Sequence, residues 1–281
     1  IHKFFMSCSG GVCTDTRKII KDSLFFALKG ETFNGNEFAV KALESGAAYS
    51  IVDEKEIIEK NAIYSERLIL VPNVLEALQQ LARFHRLQYH IPVIGLTGTN
   101  GKTTTKELIT SVLRKRYNVV ATEGNFNNHI GVPLSLLKIN SQTQAAVIEM
   151  GASAPGEIKA LVNIVCPVFG LITNVGKAHL LGFGSFEGVK KTKGELYDNL
   201  LEHRKIAFVN IDNPVLAEMI SKRPDLHIVP YGPKNDRAKI IVDQKDNPFL
   251  KITIPNPFYG NTTVEESAGN NSTSINGNKE S

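Results

Sequence analysis

Val93-Ile94-Gly95-Leu96-Thr97-Gly98-Thr99-Asn100-Gly101-Lys102-Thr103-Thr104-Thr105 is the stretch on which the fold turns. It opens as a continuous apolar run, passes through a glycine turn, and continues with Leu108, Ile109, Val112 and Leu113 at helical spacing. A short apolar run without polar alternation suits a strand buried on both faces of a parallel sheet. Strand, glycine turn and helix in that order are also the context a phosphate loop needs. The glycines let backbone N–H groups curl round an anion, and the helix N-terminus adds positive potential. On this reading Gly98, Thr99, Asn100, Gly101, Lys102, Thr103 and Thr104 cradle the phosphates of a nucleotide. Lys102 reaches the β- and γ-phosphates, and the Thr103 hydroxyl ligates Mg²⁺. The strict G-x-x-x-x-G-K-[ST] pattern needs glycine at position 96, where this chain has Leu96 between Gly95 and Gly98. The loop is therefore a variant.

Working downstream, strand candidates follow at 119–121, 145–148, 168–173, 206–209 and 226–229, with helical patterns between most of them. Such alternation implies a doubly wound, mostly parallel sheet over residues 89–255. Upstream, a short apolar run at 23–28 ends at Gly30. A helix at 38–45 stops at Gly46, and 49–52 reads as a strand. A longer helix starts at Asn73, a suitable N-cap, and puts Val74, Leu75, Leu78, Leu81 and Ala82 on one face. These make a small α/β domain over residues 1–88, with Tyr89-His90-Ile91-Pro92 as the hinge. From 256 to 281 Ser, Thr, Asn, Gly and Glu dominate. That composition offers too little apolar surface to offset ordering entropy, so it reads as a disordered polar tail.

Composition narrows the class. The chain has 281 residues, 42% hydrophobic and 21% charged, which excludes a fully disordered chain, a collagen and a coiled coil. The longest nearly apolar stretch, 160–172, is broken by Asn163 and Pro167. It falls short of the roughly 20 residues a spanning helix needs, so no membrane insertion is expected. A net charge of +4 is too weak to argue for nucleic acid. Three cysteines form no visible disulfide framework, which fits a reducing cytoplasm. The expected state is a monomer. The chain starts at Ile1 and its end reads like no folded domain, so a piece of a longer protein is expected.

Several further runs carry polar chemistry at strand ends, where open α/β sheets bind ligands. Glu123-Gly124-Asn125-Phe126-Asn127-Asn128-His129-Ile130-Gly131-Val132-Pro133 offers three amides in four positions, each both donor and acceptor. Glu149 closes the 145–148 strand and suits Mg²⁺. Asn174-Val175-Gly176-Lys177-Ala178-His179 follows the next strand. Lys190-Lys191-Thr192-Lys193-Gly194-Glu195 ends a run that starts at Gly182. Asn210-Ile211-Asp212-Asn213-Pro214 follows a later one.

Together these runs resemble the Mur ligases, which add amino acids to the peptidoglycan precursor. The phosphate loop resembles the family's ATP loop. The asparagine run is similar to the segment of the branch that adds D-alanyl-D-alanine. Thr14-Asp15-Thr16-Arg17 and Phe25-Phe26-Ala27-Leu28-Lys29-Gly30-Glu31 resemble motifs of the family's first domain. The resemblance implies an ATP-dependent amide ligase that joins D-alanyl-D-alanine to UDP-MurNAc-tripeptide through an acyl phosphate. It implies that Asn125, Asn127 and Asn128 meet the sugar-peptide, and that Thr16 and Arg17 hold the UDP end. Thr103, Glu149, His179 and Lys193 are the implied Mg²⁺ ligands, Lys193 as a carbamate, with Lys190 and Lys191 as solvated neighbours. Lys102, His179 and carbamylated Lys193 are the implied catalytic residues. Asn210 is implied at the adenosine, although an Asx turn before Pro214 explains that segment almost equally well. Arg17 also reads as a surface arginine in a turn. The rival readings are a folylpolyglutamate synthase-like ligase, an unrelated P-loop GTPase or kinase, and a binding fragment inactive without the family's third domain.

Overall fold

The computed structural model describes residues 1–177, 180–232, 251–256, 260–266 and 273–277. The first unit comprises α1 (His2–Ser7), β1 (Val12–Cys13), β2 (Leu24–Phe26), α2 (Ala39–Glu44), β3 (Tyr49–Val52), α3 (Lys55–Lys60), β4 (Leu68–Leu70) and α4 (Val74–Leu87). Its sheet is four-stranded and parallel in the order β1-β2-β3-β4. Asn73 caps α4 as expected, its side chain accepting the Glu76 N–H. Two strands escape the sequence reading, β1 and β4, because each is too short to show a period.

The second unit comprises β5 (Val93–Thr97), α5 (Lys102–Leu113), β6 (Val119–Ala121), α6 (Gly131–Leu136), β7 (Ala145–Glu149), α7 (Glu157–Val165), β8 (Phe169–Ile172), α8 (Leu180–Phe183), α9 (Phe186–Glu202), β9 (Ile206–Asn210), α10 (Pro214–Ser221) and β10 (His227–Tyr231). All its strand pairs are parallel, in the order β10-β9-β8-β5-β7-β6. Successive residues of β7 serve opposite faces. Ala145 and Val147 pack with Leu96 and Leu171 under α5, while Ala146 and Ile148 join the core beneath α4, α6 and α7. Both faces are covered, which is why the strands read as unbroken apolar runs. The chain order reverses around β5, so a crevice opens beyond the carboxyl ends of β5, β7 and β8.

The two units share α4. Leu78, Leu81 and Ala82 belong to one core with Phe26 of the first sheet and Val132, Leu161 and Val165 of the second unit. Arg86 is buried and fastens the joint, donating to the carbonyls of Val165 and Cys166. The 89–92 connector thus follows a helix already seated on both units.

Two expectations change. Leu108 and Val112 of α5 are more than half exposed, and the buried positions of that helix are Lys106 and Thr110. Ile109 and Leu113 do pack against the core as their spacing suggests, but a lysine with an internal partner takes the most inward position, which apolar spacing does not reveal. The stretch expected as a disordered tail carries strands. β11 (Lys251–Asn256) pairs antiparallel with β12 (Gly260–Glu266), and β12 with β13 (Thr273–Gly277). Thr262, Thr263, Val264, Thr273 and Ile275 are β-branched residues that favour strands, a preference that average polarity hides. The other residues of 257–281 lie outside the described residues.

Candidate functional site

The loop between β5 and α5 shows why its residues are what they are. Leu96 is fully buried in β5, so position 96 belongs to the strand and the loop proper begins at Thr97. Gly98 has φ +149°, and a Cβ there would run into Thr173 Oγ1. Gly101 precedes α5 in the left-handed region, at φ +73°. Only glycine adopts both conformations without strain. No side chain caps α5, so its first N–H groups are left for an external acceptor.

The segment after β8 holds this loop from one side. Asn174 Oδ1 accepts the Asn100 N–H at 3.1 Å, and Asn174 O accepts the Thr99 N–H at 3.0 Å. Thr173 Oγ1 and Asn174 Nδ2 both donate to Asn100 O, at 2.7 and 3.0 Å. The Gly176 N–H donates to Thr99 Oγ1 at 2.9 Å. Asn174 and Gly176, singled out in the sequence for leading to a histidine, are clamps of the phosphate loop. His179 itself lies outside the described residues. Lys102 folds back over the loop and donates to the carbonyls of Gly98 and Thr99, both at 3.0 Å. Thr103 and Thr104 stand exposed on the first turn of α5.

Glu149 ends β7 and is 1% exposed. Its Oε1 accepts from Asn127 Nδ2 at 2.8 Å, whereas its Oε2 is buried without a hydrogen-bond partner. An orphaned buried carboxylate oxygen costs free energy unless something outside the protein meets it. Asn127 also accepts the Gly151 N–H through its backbone carbonyl at 2.7 Å. Asn128 turns to structure, its Oδ1 accepting the N–H groups of Ile130 and Gly131 at the start of α6. Asn125 is exposed. The asparagine run therefore splits into one residue on the acidic centre, one helix cap and one open amide.

Lys193 sits on α9, 3% exposed. Burial and the neighbouring Lys102 charge lower its pKa to about 8, against the smaller opposing pull of Glu157 and Glu195. Its Nζ lies 5.6 Å from the centroid of the Phe183 ring. A small cavity of about 20 Å³, room for about one water, joins Lys193 to Lys102, Gly98 and Thr99. Lys190 is not the solvated neighbour expected. It is buried and bonds both Glu187 and Glu218, tying α9 to α10. Three of its sequence neighbours are charged, and a charge run says nothing about which member turns inward. Lys191 is exposed, in line with the expectation.

A larger cavity of about 400 Å³ adjoins the loop, with Lys102, Asn127 and Asn128 in its wall. The sequence reading gave no role to two acidic residues, Glu157 and Glu195. Glu157 lines this cavity and accepts from the Ser153 and Ala154 N–H groups, at 2.6 and 3.0 Å. Glu195 accepts the N–H groups of Gly156 and Lys159 at the head of α7. Ser153 four residues before Glu157 was the available signal, a near relative of the capping box.

Three expected residues lie elsewhere. Thr16 and Arg17 follow β1 at the carboxyl edge of the first sheet, outside the cavity wall. Arg17 is exposed and grips Asp15 through Nε and Nη2, at 2.9 and 2.8 Å. That pair, with the Arg17 N–H, pulls the Asp15 carboxyl down to about 2. Asn210 closes β9, at the same carboxyl edge of the second sheet, and its Oδ1 accepts the Asp212 N–H at 3.1 Å. Asn213 caps α10. The Asx-turn account of this segment is therefore realised in the structure.

No group of three or more His, Cys, Asp or Glu residues among the described residues forms a ready metal cage. Thr103 and Glu149 nonetheless fit Mg²⁺, which commonly uses one or two protein oxygens together with substrate phosphates. The buried, unpartnered Oε2 of Glu149 is the oxygen such an ion would meet. Among the described residues no helix is long and apolar enough to cross a membrane.

The chain resembles known proteins in sequence and fold. Residues 10–86 match the model described as the Mur ligase family, catalytic domain, and residues 96–264 that of the Mur ligase middle domain. The chain is 43% identical over 211 residues to the UDP-N-acetylmuramoyl-tripeptide–D-alanyl-D-alanine ligase of Bacillus subtilis (strain 168), covering 75% of this chain and 45% of the relative. Identity to the Escherichia coli (strain K12) ligase of the same name is 41% over 202 residues, covering 72% of this chain and 43% of the relative. The crystal structure of MurF from Acinetobacter baumannii superposes with a TM-score of 0.77 at 32% identity, over 90% of this chain and 54% of that one. The MurF ligase of Thermotoga maritima in complex with ADP gives 0.77 at 30% identity, over 90% and 57%. The chain spans about half the length of the relatives it matches.

Proposed function

The chain belongs to the Mur ligase family, and from that premise we propose that it serves ATP-dependent joining of D-alanyl-D-alanine to UDP-MurNAc-tripeptide. The observation that carries the proposal is the meeting of Lys102, Asn127 and an open cavity beside an uncapped helix N-terminus. Relatives at 41–43% identity bear the name of that ligase, which favours it over the folylpolyglutamate synthase-like alternative.

In this reading ATP lies with its phosphates on the loop 98–104. Lys102 gives up the carbonyls of Gly98 and Thr99 and turns its ammonium to the β- and γ-phosphates. The uncapped N–H groups of α5 stabilise the same charge. Thr103 and Glu149 would hold one Mg²⁺, and Glu149 and His179, with carbamylated Lys193 close by, a second. When bound, Mg²⁺ would supply positive charge against the phosphate oxygens. The tripeptide carboxylate attacks the γ-phosphorus, ADP leaves, and an acyl phosphate forms. The amine of D-alanyl-D-alanine then attacks that carbonyl, and phosphate leaves. Asn127 is held by Glu149 and presents its remaining polar atoms to the sugar-peptide, with Asn125 and Asn128 beside it. Thr16 and Arg17 take the diphosphate of the UDP end, and Asn210 the adenosine.

Lys193 shows how far these residues are prepared. Burial, and repulsion between two lysines facing one small cavity, lower the Lys193 pKa to about 8, which raises the minor neutral fraction present near neutral pH. A neutral amine is the form that captures CO₂. The carbamate carries a negative charge, so it converts the repulsion with Lys102 into attraction and supplies oxygen, the donor Mg²⁺ prefers.

ADP formation from ATP tests the proposal. It should require both UDP-MurNAc-tripeptide and D-alanyl-D-alanine. Equal ADP formation with either one omitted overturns the ligase reading.

A further inference from the structure

Lys106 is the one fully buried lysine among the described residues, 0% exposed on the inner face of α5. It lies four residues beyond Lys102, one helical turn deeper. Its Nζ donates to the Thr122 carbonyl at 2.6 Å and pairs with Glu107 at 2.9 Å. Burying an ammonium is costly, and an apolar residue fills an inward helix position at less expense. What the lysine reaches explains its presence. Thr122 sits just past β6, at the root of the asparagine run. Its hydroxyl accepts the Glu149 N–H at 3.0 Å. Glu149 in turn holds Asn127 and carries the unpartnered Oε2. A path therefore runs from the phosphate-loop helix through Lys106 and Thr122 to the Glu149 backbone N–H, and from the Glu149 side chain on to Asn127.

We propose that Lys106 is a positioning residue. It fixes the spacing between the start of α5, which carries Lys102 and Thr103, and the Glu149–Asn127 pair, and so sets the geometry in which nucleotide and Mg²⁺ bind together. The inference rests on the nucleotide and metal reading above. It assigns Lys106 no contact with substrate. Supporting groups of this kind typically contribute roughly 10–100-fold to metal affinity.

The test is ADP affinity of the 281-residue chain, titrated with and without Mg²⁺. Wild type should bind ADP more tightly with the ion. Lys106→Met keeps the length of the side chain and removes its charge. It should leave Mg²⁺-free ADP affinity within about twofold and remove at least about tenfold of the Mg²⁺-dependent gain. Thr122→Val breaks the same path at its second link and should show the same selective loss. It also carries the test if Lys106→Met does not fold. Lys106→Arg, which restores a donor, should recover part of the gain. An undiminished gain in folded Lys106→Met, or in Thr122→Val, overturns the inference and leaves the site assignment standing. Wild-type ADP affinity indifferent to Mg²⁺ overturns the metal reading, and the inference with it.

Discussion

Asn127 Nδ2 donates to Glu149 Oε1 at 2.8 Å, while the other oxygen of that carboxylate is buried with no partner among the described residues. Half of Glu149 is thus fixed by the protein, and half is left for something else. Glu149→Gln retains a carbonyl oxygen for Asn127 and removes the charge. Stability by thermal or urea unfolding should shift by no more than about 1 kcal/mol. The Mg²⁺-dependent gain in ADP affinity should vanish. A surviving gain would take Glu149 out of the metal site.

Gly98 and Thr173 meet across the mouth of the loop. Any side chain at 98 drives into Thr173 Oγ1, which itself holds Asn100 O. Gly98→Ala should cost about 1–3 kcal/mol of stability, because φ +149° is a region essentially closed to alanine. It should weaken ADP binding more than tenfold by displacing the loop. Unchanged affinity with unchanged stability would show that the loop tolerates the displacement.

Lys193 makes stability depend on pH with a definite sign. Its pKa is about 8 when folded, against about 10.4 for a free lysine. The folded state therefore disfavours the charged form. The resulting penalty is full below about pH 8 and fades as pH rises toward the unfolded value, because the unfolded chain then holds the extra proton. In CO₂-free buffer Lys193→Met should be more stable than wild type at pH 7, by about 3 kcal/mol at most. The difference should shrink between pH 8 and 10. Bicarbonate should stabilise wild type at neutral pH and leave the variant unmoved. A pH-independent difference, or equal bicarbonate responses, would contradict the account of Lys193.

Much of this architecture is visible in the sequence because parallel strands buried on both faces write themselves as apolar runs. Residues 93–97, 119–121 and 49–52 are strands with the bounds that the runs suggest. The phosphate loop is legible because its glycines are there for steric reasons, at Gly98 and Gly101. What composition hides is the partner of a polar residue. Lys106 and Lys190 look like solvent-facing lysines, yet both turn inward, one to a carbonyl past β6 and one to carboxylates on its own helix and on α10. Asn174 and Gly176 read as the approach to a histidine, but their bonds run back to residues about seventy positions earlier. Asn127 and Asn128 are adjacent and chemically alike. One meets Glu149 and the other caps α6, a division fixed only by the path of the loop.

The central claim is that this chain holds a nucleotide on the loop at Lys102 and the UDP-sugar-peptide with Arg17 as a separate contact. Titration calorimetry of three proteins with two ligands tests it most directly. Wild type should bind both Mg-ADP and UDP-MurNAc-tripeptide. Lys102→Ala should lose most ADP affinity while keeping the sugar-peptide, and Arg17→Ala should show the reverse. ADP binding untouched by Lys102→Ala, or no binding of UDP-MurNAc-tripeptide to the folded wild-type chain, would contradict it.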